Sequence, residues 1–197
     1  MRRSLTVPSA VEWKRIDREV LYQGRVVEVY RDRVRIGRGE TREVVYDLVH
    51  HPGAVAIVPL FEDGRIALLH QFRYAVSGTI WEIPAGTLEP GESPEACAAR
   101  ELVEEIGCRA GRWTPLVDFY TSPGFCDETM RVFLAEDLTE SEAALEPDEH
   151  IEVTRVPLAG AVGWAEAGRI RDAKTLVGLH AARTRLESEG QWPPGTP

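Results

Sequence analysis

Polar and apolar residues alternate along Arg25–Ile36, Arg-Val-Val-Glu-Val-Tyr-Arg-Asp-Arg-Val-Arg-Ile. A period of two places successive side chains on opposite faces and predicts a strand. Shorter runs of the same kind, Glu19–Tyr22 and Arg42–His50, flank it, and Gly37-Arg-Gly-Glu40 reads as a turn. Together they predict a three-stranded antiparallel sheet. So few strands seldom stand alone, so this sheet is expected to pack on the rest of the chain or on a second subunit. Residues 1–15 read as a loose lead-in.

His51-Pro-Gly53 marks a boundary, after which the pattern changes. Ala54–Leu60 is an unbroken apolar run, as in a strand covered on both faces. Glu62-Asp-Gly64 is a hairpin signal, which makes Arg65–Phe72 the expected partner strand. Further strands are expected at Thr79–Pro84, Trp113–Tyr120, Glu128–Glu136 and His150–Val156, and helices near Leu158–Ala167 and Ala173–Glu187. The main domain therefore reads as α+β, or an α/β/α sandwich on a mixed sheet. The expected division is a small N-terminal antiparallel β-domain over residues 1–52, a catalytic domain over 53–189 and a frayed tail over 190–197.

Charge narrows the function. The 197 residues carry a net charge of −9, whereas binding a nucleic-acid backbone favours a basic face. Nucleic acid is not an expected partner. A small anionic substrate would have to be met by a cation or by arginines, since Lys14 and Lys174 are the chain's lysines. Three cysteines without a C-x-x-C pair argue against a disulfide framework or a zinc site. The N-terminal residues lack the apolar run of a signal peptide, and no segment approaches the roughly 20 apolar residues of a membrane span. A cytoplasmic protein with no membrane association is expected.

Gly86–Cys108 raises the chemical question, with six glutamates in twenty-three residues. Ser93 is a good N-cap, Pro94 suits the first helical position and Gly107 a C-terminal stop, so a helix is predicted over 94–106. On it, Glu101 and Glu105 lie within about 40° of each other and Glu104 about 60° to the other side. Ala96, Ala99, Val103 and Ile106 form an apolar stripe expected to face the sheet, with the acids off it. The acids crowd the C-terminal half, where the helix dipole disfavours anions, and Arg100 is the helix's one basic residue. The preceding loop is rich in Gly and Pro, shaped to bring backbone near the acids. An oxygen-only donor set of this kind favours Mg²⁺, or Mn²⁺, over zinc.

The same segment resembles the Nudix box, G-x5-E-x7-R-E-U-x-E-E-x-G-U. Gly86, Glu92, Arg100, Glu101, Leu102, Glu104, Glu105, Gly107 and Cys108 fill its defined positions, Cys108 standing where the family usually has a larger aliphatic. The resemblance implies hydrolysis of a nucleoside diphosphate linked to another group. It implies Glu101 and Glu105 as catalytic residues and principal metal ligands, with Glu104 and the Ala85 carbonyl as further ligands. Glu92 and Arg100 would orient them, although Arg100 also suits an ordinary helix salt bridge.

Features outside the box resemble the ADP-ribose pyrophosphatase branch: Val20–Val27, His51-Pro-Gly-Ala-Val-Ala56, Gln71-Phe-Arg73, Trp81–Gly86 and Pro123. Asp148–Val153 resembles that branch's late acidic loop, which implies Glu149 as the catalytic carboxylate. The implied substrate contacts are Arg25, Val26, Arg73, Glu82, Ser122 and Gly124. Arg73 would grip a phosphate or sit at the surface end of a strand. Glu82 would serve substrate or a water, or be a plain edge-strand Glu. Tyr22 and Tyr30 suit adenine stacking or sheet packing. The branch implies a homodimer that cleaves ADP-ribose or a related nucleoside diphosphate sugar with Mg²⁺. The alternatives are a GDP-hexose or other nucleoside diphosphate pyrophosphatase, and a non-catalytic ADP-ribose sensor on the same fold. Sensors tend to lose box carboxylates, and this chain keeps all of them.

Overall fold

The computed structural model describes residues 10–142 and 151–193. These gather into two units. The first is an antiparallel sheet of β1 (Glu12–Gln23), β2 (Glu28–Arg38) and β3 (Glu40–His50), in that order. Pairing begins earlier than the expected loose lead-in allows, with Glu12 opposite Gly37. The alternation of β2 is realised: Asp32 and Val34 are buried while Arg31, Arg33 and Arg35 are exposed. Burying Asp32 is tolerable because Arg18 grips both its oxygens at 2.7 Å and lies over the Tyr30 ring at 4.1 Å. Ser122–Asp127 belongs to this unit as well. The Val49 N–H donates to the Phe125 carbonyl at 2.7 Å, and the Asp127 carboxylate accepts from the His51 N–H at 2.9 Å.

The second unit is built on β4 (Ala54–Pro59). It pairs in parallel with β9 (Thr129–Glu140) and antiparallel with β7 (Ala85–Thr87), and β8 (Cys108–Tyr120) closes the order β7-β4-β9-β8. A second sheet runs β10 (Ile151–Pro157), β5 (Arg65–Arg73), β6 (Gly78–Glu82). The expected hairpin partnership of β4 and β5 does not form. Both edges of β4 are taken by β7 and β9, so the turn at Gly64 sends β5 into the other sheet. An isolated bridge from Leu60 to Ile66 marks the crossing.

β4 is buried along its whole length, and its two faces serve two cores. Val55 and Ile57 pack with Cys97, Ala98 and Leu102 of α1 (Pro94–Ile106). Ala56 and Val58 pack with Ile83, with Leu158 of α2 (Leu158–Glu166) and with Leu179 and Leu186 of α3 (Ala173–Ser188). Helices thus cover both faces of a mixed sheet, which with the separate antiparallel sheet is the fold class the sequence indicates. The strand expected from His150 starts at Ile151 among the described residues.

Candidate active site

α1 begins and ends where the sequence predicts. The Ser93 side chain accepts from the Ala96 N–H at 3.2 Å, and Gly107 adopts a left-handed cap with φ of 61°. Its buried face is not the expected one. Ala96 and Ala99 are exposed, while Cys97, Ala98, Glu101, Leu102 and Glu105 are buried. Two of the glutamates therefore turn inward beside Cys97, Ala98 and Leu102, and the expected stripe is not the buried face.

The loop ahead of the helix explains how. A Cβ on Gly86 would fall 1.7 Å from Glu101 Oε1, so only glycine leaves room for that carboxylate. The Ala85 N–H donates to Glu105 Oε2 at 2.9 Å. Arg100 binds the other side of the cluster: Nη1 donates to Glu101 at 2.7 Å and Glu104 at 2.9 Å, and Nε to Glu92 at 3.0 Å. The guanidinium holds the Glu92 carboxyl down at about 2. Cys97, whose thiol burial pushes up to about 12, points at the Gly86 and Thr87 carbonyls.

Both roles left open for Arg100 are thus visible in one side chain, which is a helix ion pair and a clamp on two acids. Its single charge does not balance the site. Glu92, Glu101, Glu104 and Glu105 leave three negative charges over against one guanidinium. Among the described residues no three His, Cys, Asp or Glu side chains converge as a finished metal cage; Arg100 Nη1 is shared by Glu101 and Glu104 instead.

Arg73 and Glu82 come together directly. Nε and Nη2 of Arg73 donate to the two carboxylate oxygens at 2.7 and 2.8 Å. Glu82 lies on β6, an edge strand of its sheet, and is fully buried there. Burial alone would push its carboxyl up, but Arg73 and Lys174 bring it below the ordinary value. Lys174 was not anticipated. It bonds the same carboxylate from 92 positions away, a separation that no local pattern spans. Its one sequence signal is that a scarce lysine follows Asp172 at a helix start.

Arg25 and Val26 occupy the exposed turn between β1 and β2, where the Gly24 N–H donates to the Val27 carbonyl at 2.9 Å. The Ser122 carbonyl accepts from the Phe125 and Cys126 N–H groups. Gly124 is exposed, and a side chain there would meet nothing within 4 Å. These four residues lie in the first unit; Arg73, Glu82, Ala85, Glu101, Glu104 and Glu105 lie in the second. Glu149 lies outside the described residues.

The acidic cluster sits within a recognised domain: the NUDIX domain family matches residues 50–177. The chain belongs to the Nudix family. As a Nudix hydrolase it is similar over nearly its whole length to the ADP-ribose pyrophosphatase of Bacillus subtilis, 43% identical over 184 residues, covering 92% of this chain and 98% of the relative. It is 39% identical over 181 residues to the ADP-ribose pyrophosphatase of Mycobacterium tuberculosis, covering 88% and 86%. The crystal structure of an ADP compounds hydrolase superposes with a TM-score of 0.78 at 24% identity, covering 96% of this chain and 99% of the other, and shows the shared fold. The Nudix box and the branch features point to the same relatives.

Proposed function

We propose that this Nudix hydrolase cleaves the pyrophosphate bond of ADP-ribose, or of a close nucleoside diphosphate sugar, giving AMP and ribose 5-phosphate from ADP-ribose. The observation that carries the reading is the buried, over-negative carboxylate cluster against Gly86. Burying a carboxylate costs several kcal/mol, about what a well-made charge pair returns, and one arginine is shared among these acids. The donor set is all oxygen, which fits a hard divalent ion. Glu101, Glu104, Glu105 and the Ala85 carbonyl would hold Mg²⁺, or Mn²⁺. Such an ion neutralises diphosphate charge and acidifies a bound water.

The chain's own residues supply the rest. Gly86 and the Ala85 N–H fix Glu101 and Glu105 in place. Arg100 sets the positions of Glu92, Glu101 and Glu104. Arg73, whose Nε and Nη2 are held by Glu82, offers its Nη1 to a phosphate oxygen. Glu149 is the proposed general base, and an alkaline optimum is expected because the attacking water must lose a proton. Residues 1–52 are proposed to form a homodimer and, through Arg25 and Val26, to contact substrate, as are Ser122 and Gly124. No helix of the described residues is long and apolar enough to cross a membrane, and we place the protein in the cytoplasm. Initial rates with Mg²⁺ on ADP-ribose, ADP-glucose, GDP-mannose, NADH and diadenosine polyphosphates test the substrate. ADP-ribose is expected to lead. A GDP-hexose in first place would favour the alternative pyrophosphatase, and ADP-ribose binding without turnover would favour a sensor.

A further inference from the structure

A row of charge crosses the second unit from β5 through β6 to the start of α3, and the box chemistry does not use it. Its members are Arg73, Glu82, Lys174 and Asp172, alternating in sign. Their side chains are 41%, 1%, 12% and 16% exposed, so the cationic end of the row is the one that meets solvent. Arg73 spends Nε and Nη2 on Glu82. Its Nη1 makes no hydrogen bond to the described residues and is available to an anion.

The buried end is firmly built. Lys174 shares Glu82 Oε2 with Arg73 and reaches Asp172 Oδ1 at 3.1 Å. Asp172 caps α3, accepting from the Thr175 N–H at 3.0 Å and its hydroxyl at 2.6 Å. The Thr175 oxygen in turn accepts from the Ile83 N–H at 2.9 Å. Gly178 lets the helix approach: a Cβ there would lie 2.7 Å from Ile83 Cδ1. The first turns of α3 are thus tied to Glu82 and Ile83 by two bonded side chains and one missing one.

We propose that Lys174 is a positioning residue for anion binding by Arg73, acting through Glu82. A long arginine side chain carries about 2 kcal/mol of rotamer entropy, and a half-exposed one holds a single geometry only if its partner is fixed. A carboxylate gripped by Arg73 alone could pivot and would absorb the guanidinium's charge. Lys174 pins the second oxygen and takes part of that negative charge, so Arg73 stays oriented with attraction left for a phosphate. The inference rests on the reading that the substrate carries a diphosphate.

Lys174→Met, Lys174→Gln and Lys174→Arg test it, with thermal melts to confirm folding. On ADP-ribose with Mg²⁺, Met and Gln are expected to raise KM about five- to tenfold with kcat within about twofold, the pattern of lost uniform binding. Arg is expected to restore KM. In an Arg73→Ala background the effect of Lys174→Met should vanish, since the two act in series. A KM unchanged in the Gln variant, a failure of Arg to rescue, or an undiminished effect without Arg73 would overturn the proposal. Calorimetric titration with inorganic pyrophosphate separates this claim from the substrate reading. If the wild type turns over no nucleoside diphosphate sugar, the functional reading fails. Lys174 is then judged on pyrophosphate alone: at least about fivefold weaker binding by the Gln variant supports it, and equal binding, or none by the wild type, overturns it.

Discussion

Gly86 is where backbone chemistry and side-chain chemistry meet most tightly. The space a methyl would need is filled by the Glu101 carboxylate, so Gly86→Ala must push that carboxylate aside. Its loss of activity is expected to be about 10- to 100-fold, the scale on which disturbing the support of a metal ligand acts. Steady-state rates beside a thermal melt check this, and wild-type rates with an unchanged melt would contradict it. The need for glycine was legible in the sequence, because a Gly- and Pro-rich loop stood directly before the acids. The inward turn of Glu101 and Glu105 was not. Helical periodicity sorts residues by hydrophobicity, and it assigned the buried face to Ala96 and Ala99. The competing fact, a backbone N–H and an arginine waiting inside for the carboxylates, comes from tertiary structure.

Elements succeed or fail by their surroundings. The ends of α1 were readable because a cap is a local device: Ser93 accepts from an N–H three residues on, and Gly107 takes the left-handed turn that stops the helix. The placement of β5 was not readable, because a hairpin signal says the chain reverses and not which edge is free. In the N-terminal sheet, the Arg18–Asp32 pair joins β1 to β2. Arg18 holds the Asp32 carboxyl below its ordinary value near 3.8. A depressed carboxylate contributes its stability fully above that value, and the contribution is lost as pH falls below it. Backbone amides of β1 and β2 are therefore expected to lose protection, relative to their intrinsic exchange rates at each pH, on acidification below pH 3.8. Arg18→Ala should abolish that acid dependence and cost about 1–3 kcal/mol, because a buried acceptor loses its partner. Protection that does not respond to either change would contradict the assignment.

At the scale of the whole molecule, β1 presents Trp13 and Val20, paired with Ile36 and Tyr30 on one face of the sheet, at 69% and 58% exposure. Apolar surface of this extent on one strand marks an interaction face, and a second copy of the chain is the proposed occupant. Light scattering at micromolar concentration is expected to give twice the 22.0 kDa chain mass, and Val20→Lys to shift it toward one. A monomeric wild type would reject the dimer. The central proposal concerns the acids: Glu92, Glu101, Glu104 and Glu105 would tolerate one another because a divalent cation completes their charge balance and serves the hydrolysis. The initial rate of ADP-ribose cleavage by Glu105→Gln, against wild type in saturating Mg²⁺, tests it most directly. A fall of at least about 100-fold, or about 2.7 kcal/mol in the barrier, with an unchanged circular dichroism spectrum is the expected result. Wild-type turnover by that folded variant would contradict the account.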